Sequence, residues 1–190
     1  VAQAQARDVR FQVSGDLWDF PYADPRLGRF EVRGQLQQVA LAYVPEHLRP
    51  AEAAPWPALD QVQATLHIDR VALHIAGASG GVQGATQLRA VQTEARIADF
   101  TADDPVLRVR GTVQGPGAEA LDFVRRSPLA ALLDGVLDQA RLDGPVALGL
   151  GLELPLNRPE AVRVSGQLRL NGNDLRVLPD APWLRATSGT

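Results

Sequence analysis

The sequence predicts a mainly β protein: a strongly twisted, curved antiparallel sheet forming an open, taco-like groove, with one helical insertion. Three observations lead there. Apolar and polar residues alternate with a period of two through most of the 190 residues. One segment alone has the spacing of a helix. The alternating stripes also slip phase and hold internal glycines, both of which bend a sheet.

Each stripe reads as a strand. Val9, Phe11 and Val13 alternate with Arg10, Gln12 and Ser14. Phe30, Val32 and Leu36 share a face, whereas Val39, Leu41 and Tyr43 follow in the opposite phase. One extra residue flips every later side chain, so a bulge or sharp bend is expected between them. Leu66 and Ile68 give way to Val71, Leu73 and Ile75 with the same slip, which puts a turn or bulge at Asp69-Arg70. Val91, Thr93, Ala95 and Ile97 alternate, as do Leu107, Val109 and Val113 around Gly111. Leu148, Leu150, Leu152 and Leu154 set Gly149 and Gly151 on the opposite face. Val162, Val164, Leu168 and Leu170 follow, and Asn171-Gly172 signals a hairpin before Leu175 and Val177.

The helical insertion is expected at 118–139. Ser127 can cap its second half, with Pro128 at the first helical position. Leu129, Leu132, Leu133, Val136 and Leu137 form one apolar stripe that must cover an end or edge of the sheet. Gly144-Pro145 returns the chain to strand. Pro45 to Pro57 reads as an irregular linker, and Gly77 to Gly84 as a flexible turn.

The chain also repeats. Val32-Arg33-Gly34-Gln35-Leu36 returns as Val164-Ser165-Gly166-Gln167-Leu168. Leu41 to Pro45 matches Leu175 to Pro179, and Ala54-Pro55-Trp56 matches Ala181-Pro182-Trp183. The chain therefore reads as a fragment, 1–190, of a repeating array. One unit runs over about 28–160 and the next starts at about 160–190.

Composition narrows function by exclusion. The net charge of −3 argues against a polybasic nucleic-acid binder. No apolar run approaches the roughly 20 residues of a bilayer span. Without cysteine there is no disulfide and no thiolate metal site. Without methionine the chain is expected to be a mature or excised piece of something longer.

No constellation supports catalysis. Gly77-Ala78-Ser79-Gly80-Gly81 fits G-x-S-x-G, but the following glycines oppose the helix that a nucleophile elbow needs. His47, His67 and His74 all precede Ser79, the wrong order for that motif. His67 and His74 flank the expected turn at Asp69-Arg70 but lack further ligands at metal-binding spacing. Asp103-Asp104 reads as a turn and Arg125-Arg126 as solvated charge ahead of the cap. No catalytic residue, metal or cofactor is expected.

A surplus of apolar stripes remains. Either the sheet closes as a sandwich or barrel, or it curls into a trough with an apolar inner face. The phase slips, the internal glycines Gly34, Gly111 and Gly166, and the repeat favour the trough. Its expected lining is Leu66, Ile68, Leu73, Ile75, Leu107, Val109, Leu148, Leu150, Leu152, Leu154, Val164 and Leu168. A structural scaffold or protein-interaction module whose sheet edges pair with neighbours is the alternative, as is a closed sandwich binding carbohydrate or protein.

Phe123-Val124-Arg125-Arg126-Ser127-Pro128-Leu129, Leu142-Asp143-Gly144-Pro145-Val146 and Leu152-Glu153-Leu154-Pro155-Leu156 carry a resemblance. With Val164-Ser165-Gly166-Gln167-Leu168 and Ala181-Pro182-Trp183 they are similar to the central region of the YhdP-type AsmA-like proteins of Gram-negative bacteria. The resemblance covers about residues 28–190. It implies a repeating β-groove, or bridge-like, lipid transfer protein in the periplasm, anchored to the inner membrane by a helix this chain lacks. The implied partners are phospholipid acyl chains, adjacent β-groove repeats of the same full-length chain, and the inner and outer membranes through regions absent here. The family defines no catalytic residues.

Overall fold

A computed structural model describes residues 5–41 and 54–189. The strands are β1 (Gln5–Gly15), β2 (Gly28–Leu41), β3 (Leu59–Asp69), β4 (Ala72–Val82), β5 (Arg89–Ile97) and β6 (Val106–Pro116). Helices α1 (Gly117–Arg125) and α2 (Leu129–Leu132) follow. Then come β7 (Arg141–Asp143), β8 (Pro145–Pro155), β9 (Arg163–Arg176) and β10 (Leu184–Gly189). All ten strands form one antiparallel sheet in the order β1-β2-β3-β4-β5-β6-β8-β9-β10, with short β7 paired beside β8 on β9. The sheet does not close into a barrel. Among the described residues no second sheet packs against it, which goes against the sandwich alternative.

The expected phase slip in β2 is a bulge. Pairing with β3 shifts register between Leu36 and Val39, where Gln38 adopts φ of 53°. The β3–β4 turn is Arg70-Val71, one residue later than expected, with Asp69 closing β3 opposite Ala72; Arg70 is left-handed and its N–H donates to Phe30 O at 2.7 Å. A further bulge lies in β5, where the sequence showed unbroken alternation. Gln92 takes φ of 51° and register shifts between Val91 and Glu94. Val91 thereby pairs with Thr112, on the face opposite Ala95 and Ile97. Tyr43, His47 and most of the Pro45–Pro57 linker lie outside the described residues.

Three local expectations are corrected. Gly77 to Val82 belongs to β4, and the turn comes later, at Gln83-Gly84. The glycines there permit close strand approach. A Cβ on Gly80 would lie 2.6 Å from Asp60 O, and one on Gly81 would meet the Asp60 carboxylate. Ser79 sits mid-strand opposite Gln63, which excludes a nucleophile elbow.

Asn171-Gly172 is not a hairpin but lies inside the continuous strand β9, and the chain reverses only between Arg176 and Leu184. Asn173 explains the difference. Its side chain is wholly buried, accepts from the Asn171 N–H at 2.7 Å and donates from Nδ2 to Asp143 O and Pro145 O. This irregularity lets β9 hold both β7 and β8.

The helical insertion is shorter than 118–139. It breaks at Ser127-Pro128, and after Leu132 it continues only as turns because Asp134 and Gly135 adopt positive φ. Ser127 caps α2 as expected: its buried Oγ accepts from Leu129 N–H at 3.3 Å and donates to Val124 O at 2.9 Å.

Asn173→Ala should leave the Asp143 and Pro145 carbonyls and the Asn171 N–H without their partner. A loss of about 1–3 kcal/mol is expected, read as a lower urea midpoint at unchanged m-value.

Candidate functional site

Directly paired residues on neighbouring strands share a face, so register assigns the faces. Gly34, Leu66, Ile75, Ala95, Val109, Leu152 and Val164 form one cross-strand row from β2 to β9. Val32, Ile68, Leu73, Ile97, Leu107 and Leu154 form the next. Leu148 pairs with Leu168 and with Val113, while Leu150 stands between Gly111 and Gly166. All twelve residues expected to line a trough therefore occupy one side of the sheet.

The opposite side carries charge. Arg33, His67, His74, Arg96, Arg108, Glu153 and Arg163 make a single polar row. Three carboxylates tie it together. Glu31 meets Arg29 at 2.6 Å, His67 Nε2 at 2.9 Å and Arg33. Glu94 meets Arg96 at 3.2 Å, and Glu153 meets Arg108 at 3.1 Å. The two histidines do pair across the hairpin. His67 is taken by Glu31, and among the described residues no group of three metal-ligating side chains exists.

Two hollows open on the apolar side. The first lies over the middle strands, with Ile75, Val109, Leu150, Leu152 and Val164 among its walls. The second lies beneath the helices, over Leu148, Leu150, Val164 and Leu168. Leu150 and Val164 belong to both, so the apolar surface runs from one hollow into the other. Of the other expected residues, Leu66, Ile68, Leu73 and Leu107 are half-buried and Leu154 is buried, in rows that extend this surface. Toward β1 the same face is bare: Phe11 is 78% exposed, and Val9 and Val13 are also exposed.

Trp56, Phe123, Ala78, Ala90 and Thr93 also wall the first hollow, and sequence reasoning missed them. Ala78 and Ala90 were hidden by strand irregularities that reset their phase. Phe123 was readable as part of a helix but not as the residue that α1 presses toward the sheet.

The helices are clasped in place. The Glu119 carboxylate accepts from the N–H groups of Thr86, Gln87 and Leu88 and from Thr86 Oγ1, pinning α1 to the β4–β5 connection. These bonds, led by the Thr86 hydroxyl, hold the Glu119 carboxyl below its usual range. Arg126 donates to Gly84 O at 3.2 Å, and Arg125 to Leu137 O and Ala140 O. Arg125-Arg126 is thus structural rather than merely solvated, as first expected. Asp104 pairs with Arg158 and Asp103 O accepts from Asn157, joining the approach to β6 with the exit of β8.

A single open, curved antiparallel sheet with one charged face and one largely aliphatic face defines a groove-forming β protein. The chain belongs to the YhdP family, whose profile, described as YhdP protein, matches residues 1–190. It is 30% identical over 187 residues to the intermembrane phospholipid transporter YhdP of Escherichia coli strain K12. The match covers 97% of this chain and 13% of that protein's length. No solved structure matches. Among the described residues no helix is long and apolar enough to cross a membrane.

Glu31 gives the charged face a pH signature. Arg29, then His67, lower its carboxyl from an ordinary 4.5 to about 2. A depressed folded-state value means stability that is complete above pH 4.5 and lost as pH falls toward about 2. Glu31→Gln should flatten the stability–pH curve in that window, measured by urea unfolding at stepped pH.

Proposed function

We propose that this chain is a segment of a non-enzymatic phospholipid conduit between the inner and outer membranes. Its aliphatic face carries acyl chains across the periplasm while headgroups stay in water. The observation that carries this reading is the pair of apolar rows, one crossing from β2 to β9 and the other from β2 to β8, with no second sheet above them among the described residues. Exposing an acyl chain of about 15 methylenes to water costs on the order of 12 kcal/mol, at roughly 0.8 kcal/mol per CH₂. A continuous aliphatic surface removes most of that penalty, and contacts without direction favour sliding. The relative's activity as a phospholipid transporter supports the cargo.

The repeat supports a conduit built from units of one long, inner-membrane-anchored chain. β1 and β8 each have 11 residues, and β2 and β9 each have 14. A three-residue 3-10 turn separates the members of both pairs, Leu17–Asp19 in the first and Pro159–Ala161 in the second. The exposed apolar face of β1 suits continuation by a neighbouring unit.

Lipid extraction and mass spectrometry of the purified protein should recover phospholipid. Leu150→Asp puts a carboxylate where the two hollows meet and should abolish that recovery while circular dichroism stays β-rich. Lipid-free wild type, or Leu150→Asp that still carries lipid, would overturn the conduit.

A further inference from the structure

We infer that the space beneath α1 and α2 is a roofed subsite for a single hydrocarbon tail, and that Arg125 is the positioning residue that keeps its roof closed. This inference rests on the phospholipid reading and adds to it where one tail lodges and what holds it there.

The space measures about 330 Å³. Leu121, Leu129 and Leu137 form the roof; Leu148, Leu150 and Leu168 form the floor. No charged side chain lines it, so it offers nothing to a headgroup. Its floor is confined to the neighbouring strands β8 and β9, and its walls are aliphatic throughout. Gly166 leaves the floor low beside Leu150: a Cβ there would meet Leu150 Cδ2 only at 3.7 Å.

The far half of the roof is poorly built to stay down by itself. After α2 the chain turns through left-handed Asp134 and Gly135, and Val136 is 60% exposed. Its return is tied to α1 by one guanidinium. Arg125 donates from Nε and Nη2 to Leu137 O at 3.2 and 3.0 Å, and from Nη2 to Ala140 O at 2.6 Å. Asp122 Oδ1 steadies the same group at 3.1 Å. α1 itself is fixed through Glu119, so releasing Arg125 frees the segment carrying Leu137 without detaching α1 from the sheet.

The test uses a phospholipid with a photoreactive diazirine near the end of one acyl chain, and a second carrying it on the headgroup. After irradiation, adducts are mapped by mass spectrometry. The tail probe should label peptides holding Leu129, Leu137 and Leu168, and the headgroup probe should not. Gly166→Leu, which raises the floor, should remove those adducts and spare adducts near Val109 in the other hollow. Arg125→Met should keep the adducts but speed exchange of bound lipid roughly tenfold or more, the scale of one lost hydrogen bond to a charged donor.

Tail adducts near Val109 with none under the helices would overturn the subsite and leave the conduit standing. No adducts with either probe would remove both. Headgroup labelling under the helices would overturn the single-tail assignment, and unchanged exchange in Arg125→Met would overturn the role of Arg125. If Gly166→Leu does not fold, the wild-type adduct map alone decides the subsite.

Discussion

An apolar sheet face must be covered by something, and here the polypeptide provides too little to cover it. Strands β2 to β9 present rows of leucine, isoleucine and valine on one side, yet among the described residues no second sheet lies over it, and α1, α2, the turns after them and Trp56 wall its hollows in part. That imbalance organises the rest of the molecule. A sheet that folded onto a partner would bury these rows as ordinary core. An open one keeps them available, at the risk of aggregation that exposed hydrocarbon and unpaired edges bring.

The charged face answers part of that risk. Arginines on adjacent strands would repel one another if left alone. Glu31, Glu94 and Glu153 stand among them and turn the row into a set of shared ion pairs. Such exposed pairs add little stability each. Their larger effect is on register: a one-residue slip would send the arginines into the apolar trough, so the two faces hold each other in phase.

The helical insertion shows how polar groups can hold an apolar element down without occupying the apolar surface. Glu119, Arg125 and Arg126 all bond to backbone atoms beside the hollows, while Leu121, Phe123 and Val124 face inward. The helices therefore rest on the sheet by clasps at their margins. Side-chain packing of Leu121, Phe123, Val124 and Leu129 on Val113, Leu142, Val146 and Leu148 joins these clasps in seating the helices.

Much of this was written in the pattern of residues. Period-two alternation established the strands, and its slip at Leu36–Val39 located a bulge, because adding one residue must reverse every later side chain. All twelve expected lining residues fall on one face for the same reason. Other features could not be read along the chain. The bulge at Gln92, the strand through Asn171-Gly172 and the early end of the insertion at Leu132 each depend on partners distant in sequence. Asn173 breaks the hairpin reading only because Asp143 and Pro145 arrive beside it with carbonyls to satisfy. Local alternation thus determined which side chains are apolar together. The number of strands in one sheet, the absence of a second layer among the described residues and the height of the helical roof were decided by tertiary structure, since each arises from contacts that no short stretch of sequence contains.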